Sequence, residues 1–129
     1  MSNKYKKIML IDDSEIDNYI IKSLIKNHNK SAEVSVFCKS EQALGYIQQN
    51  KDTYNNLPHI IILDLYMPVI DGFEFLEKLI EMDSIYVNAI RVYVVSSSID
   101  DRDIKRSKLY PLVERYISKP IPSDFFETI

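Results

Sequence analysis

Short, mostly apolar runs separated by longer amphipathic segments constrain the fold of this chain more than any other feature. Runs rich in Ile and Val are typical of parallel strands that are covered on both faces of a sheet. Four such runs and a weaker fifth are present: Ile8–Ile11, Val34–Phe37, Ile60–Leu63, Val92–Val95 and Tyr116-Ile117. We therefore expect five parallel strands.

The segments between the runs have the spacing of helices that present one apolar face to a sheet. Five helices are predicted, beginning at or near Ser14, Ser40, Gly72, Asp100 and Ser123. Ser14-Glu15-Ile16-Asp17 has the pattern of a capping box, and Ser40 and Ser123 are candidate caps. The fourth helix is expected to end near Lys108. The last is short, so either the chain stops within it or that edge of the sheet is thinly covered.

Two of the predicted helices have clear apolar faces. We expect the first to bury Ile16, Tyr19, Ile20, Leu24 and Ile25, and the third to bury Phe75, Leu76, Leu79 and Ile80. Because strands alternate with helices, the sequence predicts right-handed βαβ units. The expected fold class is α/β, a doubly wound five-stranded parallel sheet with helices on both faces. A chain of 129 residues fits one domain, over residues 1–129.

Charge and cysteine content limit the classes of function. The net charge is −3, whereas a protein that binds nucleic acid directly usually has a basic face or stripe. Cys38 is the only cysteine, so an internal disulfide is impossible and a reducing compartment is expected. The sequence shows neither a signal peptide pattern nor an apolar run of membrane-spanning length. We therefore expect a cytoplasmic protein without direct nucleic-acid or membrane partners.

Polar residues follow the predicted strands at the edge where open parallel sheets bind ligands, beyond the carboxyl ends of the strands. Asp12-Asp13 follows the first strand, Asp64 the third and Ser96 the fourth, and the fifth leads to Lys119. Three carboxylates without a cation would repel one another, and oxygen-only ligands with open water positions favour Mg²⁺. Asp64 could then act as a nucleophile toward phosphorus, assisted by the Lys119 charge and a hydrogen bond from Ser96.

Each of these residues also has an ordinary structural explanation. Asp12-Asp13 could be the acidic start of a helix, and Asp64 could cap a loop. Lys119 could be a solvated lysine and Ser96 a strand-end hydroxyl. Taken one at a time, Lys119 and Ser96 favour that explanation. Their occurrence at successive strand ends of one sheet favours a site.

The sequence resembles the receiver domain of two-component response regulators. The matching stretches are Ile8–Asp13, Ile61–Pro68 with Asp71-Gly72, Val94–Ser97 and Tyr116–Pro120, which span nearly the whole chain in the family's order. The resemblance implies the flavodoxin-like strand order 2-1-3-4-5, for which receivers are an established example. The sequence departs from the family in residues 109–115, which lack the usual small-residue and Gly turn, and in the bulky Tyr66.

The resemblance also implies a role for each matching residue. Asp64 would be the phosphoacceptor, with Lys119 and Ser96 completing the catalytic set. Mg²⁺ would be bound by Asp13, Asp64, the Tyr66 backbone carbonyl and Asp12, the last either directly or through water. Ser96 and Tyr116 would form the switch. Lys119-Pro120 would carry the family's cis peptide bond.

The implied partners are a sensor histidine kinase or a histidine phosphotransfer protein. A downstream protein would bind the face formed by the fourth helix, fifth strand and fifth helix, and the chain would be a monomer or a transient dimer. The domain would catalyse its own phosphorylation and a slow dephosphorylation without being an enzyme in its own right.

Three rival functions remain to be weighed. A Mg²⁺ phosphohydrolase would need a second carboxylate two residues after the nucleophile, where Tyr66 stands. A receiver-like docking module that is never phosphorylated would lack Asp64, Lys119 or the acidic pair, and all of these are present. A flavodoxin-type cofactor binder would have a Ser/Thr/Gly-rich loop after the first strand, whereas the loop here is acidic.

The Tyr66 side chain could either shield the phosphoryl group and slow its loss, or point into solvent without effect.

Overall fold

The computed structural model describes residues 6–129 and shows a five-stranded parallel sheet. The strands are β1 (Lys7–Ile11), β2 (Glu33–Phe37), β3 (Ile60–Asp64), β4 (Arg91–Ser96) and β5 (Val113–Ser118). Their spatial order is β2-β1-β3-β4-β5, which confirms the predicted order and fold class. Since the chain order reverses beside β1, the loops after β1 and β3 meet at the carboxyl edge of the sheet, where ligands bind in such folds.

The helices cover both faces of the sheet. They are α1 (Glu15–His28), α2 (Ser40–Gln49), α3 (Gly72–Glu81) and α4 (Asp101–Ser107), with short 3-10 helices at Tyr54–Asn56, Val87–Ala89 and Ser123–Glu127. The predicted fifth α-helix is therefore a 3-10 helix, and Ser123 provides no side-chain cap. None of the helices in residues 6–129 combines the length and apolar character needed to cross a lipid bilayer.

Successive residues of the central strands enter two separate cores, as expected for a sheet covered on both faces. Met9 and Ile11 pack with residues of α2 and α3, whereas Ile8 and Leu10 pack with residues of α1 and the Ser123–Glu127 helix. Phe125 and Phe126 of that short helix are both buried. The short helix thus supplies two large aromatic side chains to the second core, which compensates for its length.

The edge strand β2 departs from the expectation of strands buried on both faces. Its residues are exposed or half-buried, and Val36 retains 39% of its surface. β2 is the terminal strand of the sheet and pairs with β1 along one edge, so its other edge has no neighbouring strand in the sheet. The Ser within the Val34–Phe37 run is consistent with such an edge position.

The predicted apolar face of α1 is confirmed in the C-terminal half of the helix, where Ile25 is buried and Leu24 packs against the core, but is wrong in the N-terminal half. Ile16 is 73% exposed, and Tyr19 and Ile20 are exposed as well, while the buried positions are Asn18, Ile21 and Ile25. Asn18 takes an interior position because its amide donates to the Asp12 backbone carbonyl at 2.7 Å. The rotation of α1 is therefore set by a polar contact with the loop after β1.

Two further local predictions are wrong in detail. Ser40 is the first residue inside α2 rather than its cap, and its buried hydroxyl donates to the Ile70 carbonyl at 2.7 Å. Ile80 is 43% exposed although the rest of the predicted α3 face is buried. The Ser40 contact ties α2 to the loop between β3 and α3, which carries part of the site.

The loop from β3 to α3 closes tightly on itself. The Gly72 N–H donates to the Leu65 carbonyl at 2.7 Å, and a Cβ at Gly72 would lie 2.9 Å from the Leu65 Cα. Only glycine allows this approach without a backbone shift. Asp71 then caps α3 in a complete capping box with Glu74. This holds the backbone that follows Asp64.

Candidate functional site

Three carboxylates meet at the carboxyl edge of the sheet, as the sequence predicts. Asp12 and Asp13 follow β1, and Asp64 is the last residue of β3. One oxygen from each lies within 4.8 Å of the others, the only such cluster of potential metal ligands in residues 6–129. Asp12 is 5% exposed and Asp64 9% exposed, whereas Asp13 lies at the surface. The cluster therefore opens to solvent on the Asp13 side.

The Asp12 carboxylate is held by contacts on both oxygens. Oδ1 accepts a hydrogen bond of 2.9 Å from the Ser14 backbone N–H, and Oδ2 lies 3.0 Å from Lys119 Nζ. Ser14 is also the N-cap of α1, since its Oγ accepts from the Asp17 N–H at 3.2 Å. The start of α1 therefore fixes the position of this carboxylate relative to β1.

Lys119 brings a positive charge into the cluster. Its ammonium lies 3.0 Å from both Asp12 Oδ2 and Asp17 Oδ2, and 3.8 Å from Asp64 Oδ1. The backbone N–H of Lys119 donates to the Ser96 carbonyl at 2.8 Å, and the Lys119-Pro120 peptide bond is cis, as predicted. The lysine is thus a member of the site rather than a solvated surface residue.

Sequence reasoning missed Asp17 as a member of this site. The Ser14–Asp17 pattern predicts a reciprocal capping box, but the Asp17 carboxylate faces Lys119 instead. Its position four residues after Asp13, one turn along α1, is the signal that could have indicated it.

The pKa values of Asp64 and Lys119 reflect both their burial and the charges around them. Burial and the neighbouring Asp12 charge raise the pKa of Asp64 to about 6, although Lys119 and a hydrogen bond from the Tyr66 backbone act in the opposite direction. For Lys119, burial lowers the pKa, but hydrogen bonds to Asp17 and Asp12 outweigh it and raise the pKa above its ordinary value. The Lys119 charge therefore offsets only part of the effect of burial and of the Asp12 charge on Asp64.

Ser96 lies at the end of β4, beside Asp64, because Asp64 and Val95 are register partners. Ser96 is buried, and its Oγ accepts a hydrogen bond of 3.0 Å from the Ser98 backbone N–H. The Tyr116 ring, on β5, packs half-buried against the core formed with α2 and α3. Its hydroxyl donates to the Ser98 carbonyl at 2.8 Å. The two predicted switch residues are therefore joined through Ser98.

The Tyr66 side chain is held by a contact with Asp103 that the sequence does not predict. The side chain is 55% exposed, and its hydroxyl donates to the Asp103 carboxylate in the first turn of α4. The same Asp103 oxygen accepts a hydrogen bond of 2.9 Å from Ser98 Oγ. The hydrogen bond to Asp103 raises the pKa of Tyr66. The ring is therefore tied across to α4 rather than free in solvent.

The donor set of the cluster fits a hard divalent cation. Its potential ligands are all carboxylate oxygens, which Mg²⁺ and similar ions prefer, and the exposed Asp13 leaves room for water. The pKa of Asp64 is raised first by burial of its carboxyl group and then by the neighbouring Asp12 charge, both of which disfavour the ionised form. A cation bound there would favour the ionised form of Asp64.

Comparisons with known proteins identify the family of the chain. Residues 8–128 match the response regulator receiver domain family. Response regulator Rcp1 of Synechocystis sp. is 29% identical over 120 residues, which cover 92% of this chain and 79% of Rcp1. The crystal structure of the Mn(2+)-bound form of Rcp1 superimposes with a TM-score of 0.76 at 26% identity, covering 95% of this chain and 88% of that chain.

Two further solved structures have the same fold. A two component response regulator from Cytophaga hutchinsonii has a TM-score of 0.83 and 25% identity, with coverage of 98% of this chain and 93% of that chain. The phosphorylated cyanobacterial phytochrome response regulator RcpA has a TM-score of 0.76 and 29% identity, with coverage of 97% and 88%. The protein belongs to the receiver domains of two-component response regulators, the phosphoacceptor switches of that signalling system.

Proposed function

We propose that the chain, as one receiver domain over residues 1–129, accepts a phosphoryl group on Asp64 in a Mg²⁺-dependent reaction. The observation that carries this proposal is the convergence of Asp64 with Asp12, Asp13 and Lys119 at one edge of the sheet. Asp13 and Asp64 would bind Mg²⁺ directly, Asp12 directly or through water, and the Tyr66 backbone carbonyl would add a ligand. Bound Mg²⁺ would neutralise charge on the transferring phosphoryl group.

The chemical step is an in-line substitution at phosphorus. An Asp64 carboxylate oxygen forms the new O–P bond while the bond from phosphorus to the donor nitrogen or oxygen breaks, and the donor leaves with that electron pair. Lys119 pairs with one phosphoryl oxygen and the Ser96 hydroxyl donates to another, which stabilises the charge that moves onto them. Asp64 must be ionised to attack, and a cation held by Asp12, Asp13 and Asp64 would favour that form despite the raised pKa of Asp64.

A switch rather than a hydrolase is favoured by the residue two positions after Asp64. A dedicated hydrolase would use a carboxylate there to activate water. Tyr66 occupies the position, and its hydroxyl is engaged by Asp103. The expected chemistry is therefore self-catalysed phosphorylation followed by slow self-dephosphorylation.

The phosphoryl donors would be a sensor histidine kinase or a histidine phosphotransfer protein in the cytoplasm. Phosphorylation would draw Ser96 toward the new phosphoryl oxygens and reposition Tyr116. This would alter the face of α4, β5 and the Ser123–Glu127 helix, to which a downstream protein would bind. The domain would act as a monomer or a transient dimer, without direct contact to nucleic acid or membrane.

Intact-mass measurement after incubation with a small acyl-phosphate donor and Mg²⁺ tests the proposal. We expect the mass of one phosphoryl group to be added to the wild type, and none to Asp64→Asn or to the wild type in the presence of a chelator. Peptide mapping should place the group on Asp64. Equal uptake by Asp64→Asn, or a phosphoryl group on another residue, would contradict the proposal.

A further inference from the structure

Lys119 has two equivalent anchors, and only one of them belongs to the carboxylate cluster. Its ammonium lies 3.0 Å from Asp12 Oδ2 and 3.0 Å from Asp17 Oδ2, while Asp64 is farther away at 3.8 Å. Asp12 is a candidate cation ligand, whereas Asp17 lies outside the cluster. A cation that engages Asp12 weakens one anchor and leaves the Asp17 anchor in place.

The Asp17 carboxylate is itself held in place by the start of α1. Its backbone N–H donates to Ser14 Oγ at 3.2 Å, and Ser14 N–H donates to Asp12 at 2.9 Å. The next residue, Asn18, donates to the Asp12 carbonyl at 2.7 Å. The first turn of α1 is thus tied to the Asp12 loop, and Asp17 has a fixed position relative to the cluster.

The charges around Lys119 explain why a second carboxylate partner, Asp17, matters. The Lys119 side chain is only 23% exposed, so solvent screens its charge poorly. Without a counter-charge of its own, the ammonium would pair with Asp12 and Asp64 and would compete with a cation for the same oxygens. A carboxylate on the α1 side holds the ammonium beside the cluster instead of within it.

We infer that Asp17 is a positioning residue that holds the Lys119 ammonium next to the acidic cluster, so that a divalent cation and the lysine occupy the site together. Asp17 touches neither the cation nor the phosphoryl group and acts only through Lys119. The inference rests on the proposed function of the cluster. It adds a fourth carboxylate to the site, one that belongs to α1 rather than to a strand end.

A double-mutant cycle on Mg²⁺ affinity tests this role. We expect Asp17→Asn, which keeps the size of the side chain and removes its charge, to weaken Mg²⁺ binding about fivefold, because the released ammonium then competes for the cluster. In the Lys119→Ala background the same substitution should change the affinity less than about twofold. Asp17→Glu, which keeps the charge that pairs with Lys119, should remain within about twofold of the wild type.

Glu15→Gln is the matched control, since Glu15 is an exposed acid in the same helical turn. It should leave Mg²⁺ affinity unchanged within about twofold. Thermal unfolding of each variant without Mg²⁺ establishes that the affinities are measured on folded protein.

The outcomes separate the inference from the proposed function. An equal loss of affinity in both backgrounds means that Asp17 acts on the cation by its charge alone, and no loss in either background means that it does not act; both results overturn the positioning role. If the wild type binds no Mg²⁺, the proposed function of the cluster fails together with the inference. If it binds Mg²⁺ but takes no phosphoryl group onto Asp64, the proposed function fails while the cycle still decides the role of Asp17.

Discussion

The Tyr116 hydroxyl donates a hydrogen bond to the backbone carbonyl of Ser98 across 2.8 Å. The backbone N–H of Ser98 in turn donates to Ser96 Oγ at 3.0 Å. One residue of the loop between β4 and α4 therefore contacts both side chains of the proposed switch. A movement of Ser96 toward a phosphoryl oxygen would be passed to Tyr116 by the same short stretch of backbone.

We predict that phosphorylation changes amide exchange in residues 97–104 and along β5, and that Tyr116→Phe weakens this response. The substitution keeps the ring but removes the link to Ser98, at a cost of about 1 kcal/mol in stability. Tyr46→Phe is the control, because it removes a similar 2.8 Å hydroxyl bond, to the Asn56 carbonyl, far from Ser98 in the chain. Exchange that is the same before and after phosphorylation in the wild type would contradict the switch.

The metal ligands can be ranked by substitution. Asp13→Ala should lower Mg²⁺ affinity about 100-fold, because it removes the exposed carboxylate of the cluster. Asp12→Ala should cost less if Asp12 binds through water, since Lys119 then keeps Asp17 as a partner. Asp52→Asn, an exposed acid outside the cluster, serves as the control for net charge. If titration shows undiminished Mg²⁺ affinity in both Asp13→Ala and Asp12→Ala, the cluster does not bind the ion.

The stability of the metal-free protein should depend on pH through Asp64. Its pKa is raised from 3.8 to about 6 in the folded state, so the folded chain binds this proton more tightly than the unfolded chain. The stabilisation by the proton is complete below pH 3.8 and is lost as the pH rises through about 6. At neutral pH the ionised carboxylate therefore destabilises the fold, by at most roughly 3 kcal/mol.

Asp64→Asn removes the destabilisation caused by the ionised Asp64 carboxylate and leaves the other carboxylates unchanged. The variant should match the wild type in acid and be more stable by up to roughly 3 kcal/mol at pH 7. Urea unfolding in chelator between pH 4 and 8 measures the difference. If the difference in unfolding free energy between the variant and the wild type does not grow with pH, the ionised Asp64 carboxylate does not destabilise the fold.

Sequence predicts the strand-end residues of the site better than its helical ones. Asp12, Asp64 and Lys119 come together because the carboxyl ends of parallel strands share one edge, which topology alone determines. Asp17 and Asp103 lie on helices, and their contacts depend on how each helix is rotated about its axis. Periodicity predicts the N-terminal half of the buried face of α1 wrongly, because Asn18 takes an inward position for a polar contact that hydrophobic spacing does not encode.

The last prediction concerns the lifetime of the phosphoryl group and rests on the link from Tyr66 to Asp103. The Tyr66 hydroxyl donates to the Asp103 carboxylate, which also accepts from Ser98 Oγ, so the ring is held between the loop after β3 and the start of α4. We predict that the ring, held there two residues after Asp64, restricts the approach of water, and it carries neither an amide nor a carboxylate to orient the water or accept its proton. We therefore expect slow self-dephosphorylation.

Three variants separate the ring from its anchor, at equal Mg²⁺ and with phosphate release as the measurement. Tyr66→Asn should shorten the lifetime about 3- to 10-fold, since it removes the shield and adds an amide that can orient water. Tyr66→Phe should have a smaller effect, because the ring remains but is no longer tied to Asp103. Tyr110→Phe removes a 2.8 Å bond to the Glu77 carboxylate and should leave the lifetime unchanged. If Tyr66→Asn loses phosphate no faster than the wild type, the ring does not shield the site.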